Sequence, residues 1–195
     1  NEYINDAEAI HHGERKMVTS LNGFEYINIG GREFEAFTTS GGLGTMCETY
    51  EGKVDTLNYK SIRYPGHGKL MKFLISELIM KDDKENLTKI LENAKPPVKE
   101  DVVYIYAVVE GWKDDKLFRN EYYKAFYPLE IEGQEWRAIS WTTAASIAAV
   151  IEMVEKGDLP AQGFIKQEEI SYNKLIETSN GQYYVKGDLE GLSKE

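Results

Sequence analysis

Along much of the chain, short apolar and polar runs alternate between glycine- or aspartate-rich turns, a pattern of hairpins rather than of a helical bundle. The first hairpin is read over Glu8–Val18, with Gly13 in its turn. Gly30-Gly31 separates Phe24–Ile29 from Arg32–Phe37, a two-residue loop whose glycines allow the positive φ such turns need. Asp114-Asp115 joins Val102–Trp112 to Leu117–Tyr127. The run from Val102 to Val109 is continuously apolar, as in a central strand covered on both faces. A further strand is expected over Lys53–Arg63, and an edge strand over Gln182–Val185.

Helical spacing falls between these runs. Leu70, Phe73, Leu74 and Leu78 predict an amphipathic helix over Gly68–Ile79, and a second covers Asp83–Asn93 ahead of Pro96-Pro97. Leu43–Tyr50 and Ser171–Thr178 read as short helices. Ala144–Val154 is apolar almost all round, which predicts a buried helix with Thr142 or Thr143 as N-cap and Gly157 as stop. The expectation is an α+β fold: a mixed, largely antiparallel sheet covered by helices on one face. No internal repeat or long linker divides the chain, so residues 1–195 are read as a single domain.

Composition narrows the function classes. Apolar residues make up 42% and charged residues 29%, a globular balance, and the net charge of −10 argues against nucleic acid or an anionic membrane surface as partner. No run approaches the roughly 18 apolar residues of a spanning helix. A single cysteine excludes an internal disulfide or multi-cysteine zinc site. No signal peptide opens the chain, and a cytoplasmic protein is expected. The opening Asn-Glu-Tyr-Ile-Asn reads as a strand without lead-in, which suggests an excised piece of a longer protein.

Candidate chemistry is concentrated between Ala36 and His67. Thr38-Thr39-Ser40-Gly41-Gly42-Leu43-Gly44-Thr45 is dense in small donors. It is a tight turn feeding a helix, or one whose amides, with Thr39, Ser40 and Thr45, hold a carboxylate. It is not a dinucleotide fingerprint, which needs G-x-G-x-x-G after a buried strand of a βαβ unit. Arg63, held on a rigid turn by Pro65-Gly66, is suited to gripping a substrate carboxylate, the alternative being a surface ion pair. His67 can carry a proton, although a lone histidine near a helix start is more often a cap or packing residue. His11-His12 lacks a third ligand at metal-binding spacing, so no metal is expected, and Cys47 reads as a buried, inert thiol.

Together these segments resemble the C-terminal domain of the saccharopine dehydrogenase family, comprising saccharopine reductases and related lysine 6-dehydrogenases. The resemblance lies in Glu35–Thr49, in Leu57–His67, in Trp141-Thr142-Thr143-Ala144-Ala145, and in Leu159-Pro160-x-x-Gly163-Phe164-Ile165-x-Gln167-Glu168. It covers most of the chain, in order. It implies a substrate-binding and dimerisation domain similar to the C-terminal domain of glyceraldehyde-3-phosphate dehydrogenase, with a homodimer formed through the sheet. It also implies an oxidoreductase acting on the C–N bond of an amino acid such as saccharopine or lysine, or on the corresponding keto acid. The NAD or NADP of such an enzyme is expected on an N-terminal Rossmann domain absent from this chain, which should be inactive alone and bind no cofactor. The matching positions imply substrate contacts at Thr39, Ser40, Gly41, Gly42, Arg63, Tyr64, Thr142 and Thr143; in such an enzyme Tyr64 or His67 is the candidate for proton transfer. The rival expectation is a non-catalytic dimerisation or amino-acid-sensing module, with the aromatic hairpin Val102–Tyr127 as its interface.

Overall fold

In the computed structural model, which describes residues 2–186, the fold is α+β. It comprises six α-helices and four small antiparallel sheets among those residues. The chain divides into two compact units, one ending at Pro96 and the other beginning at Pro97. In place of one sheet covered on one face, each unit carries two separate sheets of two or three strands.

In the first unit, β1 (Ala7–His11) pairs with β2 (Glu14–Val18), and β3 (Glu25–Ile29) with β4 (Arg32–Thr38). Both hairpins turn on two residues of positive φ, His12-Gly13 and Gly30-Gly31, so the turn twist matches the strand twist. The stretch expected as one strand over Lys53–Arg63 splits. β5 (Thr56–Leu57) joins β1, whereas β6 (Lys60–Arg63) joins β4 with Arg63 opposite Glu35. Helix α1 is short, Met46–Tyr50. Helix α2 (His67–Lys72) gives way to a π-helical turn at Phe73–Glu77, closed by Leu78 N–H donating to Phe73 O, rather than continuing as one regular helix. Helix α3 (Lys84–Ala94) is capped by the Asp83 carboxylate, which accepts from Asn86 N–H. These elements close over Leu21, Phe37, Met71, Ile75 and Leu87. Residues 3 and 4 lie against that core, and the opening residues form turns rather than a strand.

In the second unit, β7 (Val103–Lys113) and β8 (Lys116–Phe126) form a long hairpin on Asp114-Asp115, both at positive φ. A second hairpin, β9 (Leu129–Ile131) with β10 (Gln134–Trp136), has strands of three residues each, too short for an alternation to register. Helix α4 runs Ala138–Glu155, six residues longer at its start than the apolar pattern indicated. Thr142 and Thr143 are therefore interior residues and not caps. The cap is the Asp101 carboxylate, which accepts from Ala138 N–H (2.6 Å) and Ile139 N–H (2.9 Å). Gly157, at φ 78°, ends the helix as expected. Only one face of α4 is buried, through Ala138, Trp141, Thr142, Ala145, Ala149 and Met153, so the expectation of all-round burial is corrected. At 18 residues and mean hydropathy 1.2, α4 also reaches the length and composition of a spanning helix. Its buried face nevertheless forms the core of this unit, with Trp141 and Ala145 against Phe126.

Two further expectations are corrected here. The run Val102–Val109 is not a doubly covered central strand: Val109 is 66% and Trp112 77% exposed on the two faces of the hairpin near its tip. Gln182–Val185 is not a strand but lies in helix α6 (Gln182–Lys186), which follows α5 (Tyr172–Glu177). The Tyr183 and Tyr184 side chains pack on the Phe126–Trp141 cluster, and this tertiary contact overrides local β propensity.

The turn before α6 is tied to α4 by Glu152, whose carboxylate accepts from Asn180 N–H, the Asn180 side-chain amide and Ser179 N–H. These donors, Asn180 N–H foremost, lower its pKa from 4.5 to about 2. Because the folded value is depressed, the associated stability is complete above pH 4.5 and is lost as pH falls towards 2. Glu152→Gln should therefore lower the thermal midpoint at neutral pH, and the gap from the parent protein should close between pH 4.5 and 2. A gap independent of pH across that window would show that the carboxylate charge is not what holds the turn.

Candidate functional site

The adjacent strands β4 and β6 carry the residues of greatest chemical interest. Past the end of β4, Thr39 is buried, and its hydroxyl is 2.8 Å from that of Ser61 on β6. Ser40 N–H donates to Glu2 O at 3.0 Å, and the Ser20 hydroxyl also reaches Glu2 O, at 3.1 Å. These bonds fasten the opening residues beside the strand ends. Gly41, Gly42 and Gly44 then line a cleft of about 190 Å³ together with Glu8, Thr39 and Tyr59. Gly42 is required by close approach, since a Cβ there would lie 2.1 Å from the Tyr59 ring.

At the end of β6, Arg63 Nε donates to Tyr3 Oη at 2.9 Å, and Nη1 donates to Ile62 O at 2.7 Å. Its guanidinium carbon lies 5.9 Å from the Tyr3 ring centre, so an exposed side chain is held in one orientation. Tyr3 Oη is in turn 3.2 Å from His67 Nε2. Arginine can only donate, so the Tyr3 oxygen accepts from Arg63, and the imidazole tautomer sets which partner donates between Tyr3 Oη and Nε2. Burial, and then the Arg63 charge, hold the imidazole pKa below its ordinary value, whereas burial pushes the Tyr3 phenol up against the opposing pull of Arg63.

Beneath this group lies Glu35, 1% exposed. Its carboxylate accepts from Gly66 N–H at 2.8 Å and from Gly68 N–H, holding the Pro65-Gly66 turn against the sheet. Gly68 is needed for the same close packing, because a Cβ would meet the Phe24 and Phe37 rings at 2.6 Å.

The structure brings Arg63 and His67 together through Tyr3, and Thr39, Gly41 and Gly42 around one cleft. Ser40 is linked to the first group through the Glu2 carbonyl next to Tyr3. Tyr64 lies elsewhere: its ring stacks on Phe34 (5.6 Å, 28°) beside Arg32, whereas His67 stacks on Phe37. Phe34 and Phe37 project from opposite faces of β4, so Tyr64 and His67 lie against opposite faces of that strand. Thr142 and Thr143 belong to the other unit. Their hydroxyls donate back to Ala138 O and Ile139 O, each at 2.7 Å, a common use of threonine inside a helix.

Cys47 is fully buried and its thiol pKa is raised, mainly by burial, which disfavours the thiolate a nucleophile needs. His12 lies on a turn 3.6 Å from Asp55, and no group of three or more metal-ligating side chains occurs among the described residues. The glycine turn does not fit a nicotinamide dinucleotide. It leads from an antiparallel strand into a five-residue helix, and Gly42 is already against the Tyr59 ring. No protein-family model matches the chain.

Tyr3, Glu35, Glu8 and Tyr59 were not singled out as site residues from sequence. Glu35 carried a signal, as an acidic side chain inside the otherwise apolar run Phe34–Phe37. Tyr3 carried none, since its partners lie 60 and 64 residues away.

Proposed function

We propose that this chain is the substrate-binding domain of an NAD(P)-dependent oxidoreductase acting on the C–N bond of an amino acid of the saccharopine or lysine type. The observation that carries the reading is the Arg63–Tyr3–His67 chain, linked to Ser40 at the start of the glycine turn through the Glu2 carbonyl next to Tyr3. Tyr3 uses one of the five N–H donors of Arg63 and Ile62 another, which pre-orients the guanidinium for a carboxylate. Ser40 and the Gly41-Gly42 turn would meet a second polar end of the substrate. His67, neutral and hydrogen-bonded to Tyr3, would take up a proton as the imine forms or is hydrolysed. Tyr64, on the other face of β4, has no part in this arrangement. Binding of the dinucleotide falls to a Rossmann domain that the described residues do not contain, so the chain alone would be inactive. A cytoplasmic homodimer is part of the same reading.

In the enzyme that joins this chain to its nucleotide-binding domain, Arg63→Ala should raise KM for the amino acid at least about tenfold and leave KM for the cofactor within about twofold. Equal effects on both, or none, would remove Arg63 from the substrate site. The exposed tip of the β7–β8 hairpin, with Val109 and Trp112, favours a second reading: a dimerisation or amino-acid-sensing module without catalysis. The two separate on affinity, because a sensor must bind its amino acid tightly without another domain.

A further inference from the structure

We propose that the second unit contains a binding site for an uncharged aromatic ligand, in a cavity between the β7–β8 hairpin and helices α4, α5 and α6. This site shares no residue with the Arg63 site. The cavity has a volume of about 480 Å³ and is lined by Ile105, Tyr122, Phe126, Ser146, Tyr172, Leu175 and Tyr184.

The register explains why it forms. Tyr122 and Phe126 share one face of β8, and Ile105, next to them across the ladder, faces the same way. At the Phe126 end, this face is closed by Trp141, Ala145 and Tyr184. Towards Ile105 and Tyr122 the opposite wall is Tyr172 and Leu175 of α5, and the gap opens there. Phe126, 1% exposed, is its floor, while Tyr122 and Tyr172, at 40% and 50%, stand at its mouth.

Ligand class follows from the chemistry of the lining. No charged side chain lines it; Lys124, on the same face of β8 between Tyr122 and Phe126, has its ammonium 5.8 Å from the Phe126 ring centre and donates to Tyr184 O at 3.0 Å. The polar atoms are directed elsewhere: Tyr184 Oη donates to Thr142 O, Ser146 Oγ donates to Thr143 O at 2.9 Å, and the hydroxyls of Tyr122 and Tyr172 meet at 3.4 Å. A ligand in the cavity therefore meets mainly carbon, and a charged one would lose its hydration without compensation. The rings stand edge to face, Tyr122 against Tyr172 at 75° and Phe126 against Tyr184 at 83°. A planar aromatic guest can extend this arrangement. An apolar cavity of about 150 Å³ suffices for benzene, so this one has room for a ligand of two or three rings.

The test is titration of the whole chain with N-phenyl-1-naphthylamine, an uncharged fluorescent probe. The expected result is saturable 1:1 binding with a blue shift, and chemical-shift changes at the Ile105 and Leu175 methyls. Ser146→Phe and Ile105→Trp, both at partly exposed positions, should fill the space and weaken binding at least about tenfold with little change in thermal midpoint. The sulfonated analogue 8-anilinonaphthalene-1-sulfonate should bind at least about tenfold more weakly than the neutral probe. Binding that never saturates, or methyl shifts confined to the hairpin tip around Val109, would overturn the site. Equal affinity for both probes would overturn the ligand class.

Discussion

Trp141→Ala should destabilise the second unit by roughly 3–5 kcal/mol, the range for removing a large aromatic side chain from a core. Trp141 is 1% exposed, meets Phe126 edge to face at 5.5 Å and lies 5.6 Å from Tyr184. Its indole N–H also donates to Tyr127 O at 2.8 Å, which joins α4 to the end of the β7–β8 hairpin. In the cluster around Trp141, Phe126 and Ala145 are the other buried members, with Val103, Leu129, Ile131, Tyr183 and Tyr184 packed against them while partly buried. A loss of this size approaches the whole stability of many small domains, about 5–15 kcal/mol. Thermal unfolding followed by near-UV circular dichroism should show a fall in midpoint of more than about 10 °C. Trp141→Phe should lose less, because the edge-to-face contact survives while the hydrogen bond does not. A fall of only a degree or two for the alanine variant would contradict this account of the core.

Glu35→Leu should destabilise the first unit by roughly 3 kcal/mol, because it leaves Gly66 and Gly68 N–H without their acceptor in a buried setting. The size and the cause are separable. Glu35→Gln keeps one carbonyl oxygen but turns an amide N–H₂ towards the second donor, so about half of the loss is expected. Amide exchange supplies the local test, since Gly66 and Gly68 should lose protection in the leucine variant before the rest of β4 does. Unchanged protection at both glycines would show that the carboxylate does not hold the turn. The consequence reaches the site, because His67 follows that turn directly and its ring position rests on it.

How much could be read beforehand depended on the range of the interaction. Turns set by local φ were legible, as at Gly30-Gly31 and Asp114-Asp115, and so was a helix stop set by a single glycine, as at Gly157. The start of α4 was not, because its cap, Asp101, lies 37 residues before Ala138. The helical state of residues 182–186 depends on Tyr183 and Tyr184 meeting a core built from distant segments. The apolar run from Val102 suggested burial, although hydrophobicity alone cannot specify what covers a strand. At the site, the short spacing from Arg63 to His67 made their proximity legible, and the opposite facing of Tyr64 and His67 became visible only with Phe34 and Phe37 in place. The link between Arg63 and His67 is a tyrosine 60 residues before the arginine, and no local pattern could reveal it.

That link also defines the claim on which the proposed function rests: that the Arg63 end of β6 and the Ser40–Gly42 turn together receive one amino-acid substrate. The most direct measurement is an NMR titration of the labelled chain with saccharopine, lysine and 2-oxoglutarate. The account predicts saturable, weak binding of at least one of them, with shifts at Ser40, Gly41, Arg63 Nε and His67 that vanish in Arg63→Ala while the remaining spectrum is retained. Absence of shifts at these residues for all three compounds, or shifts that persist unchanged in Arg63→Ala, would contradict it.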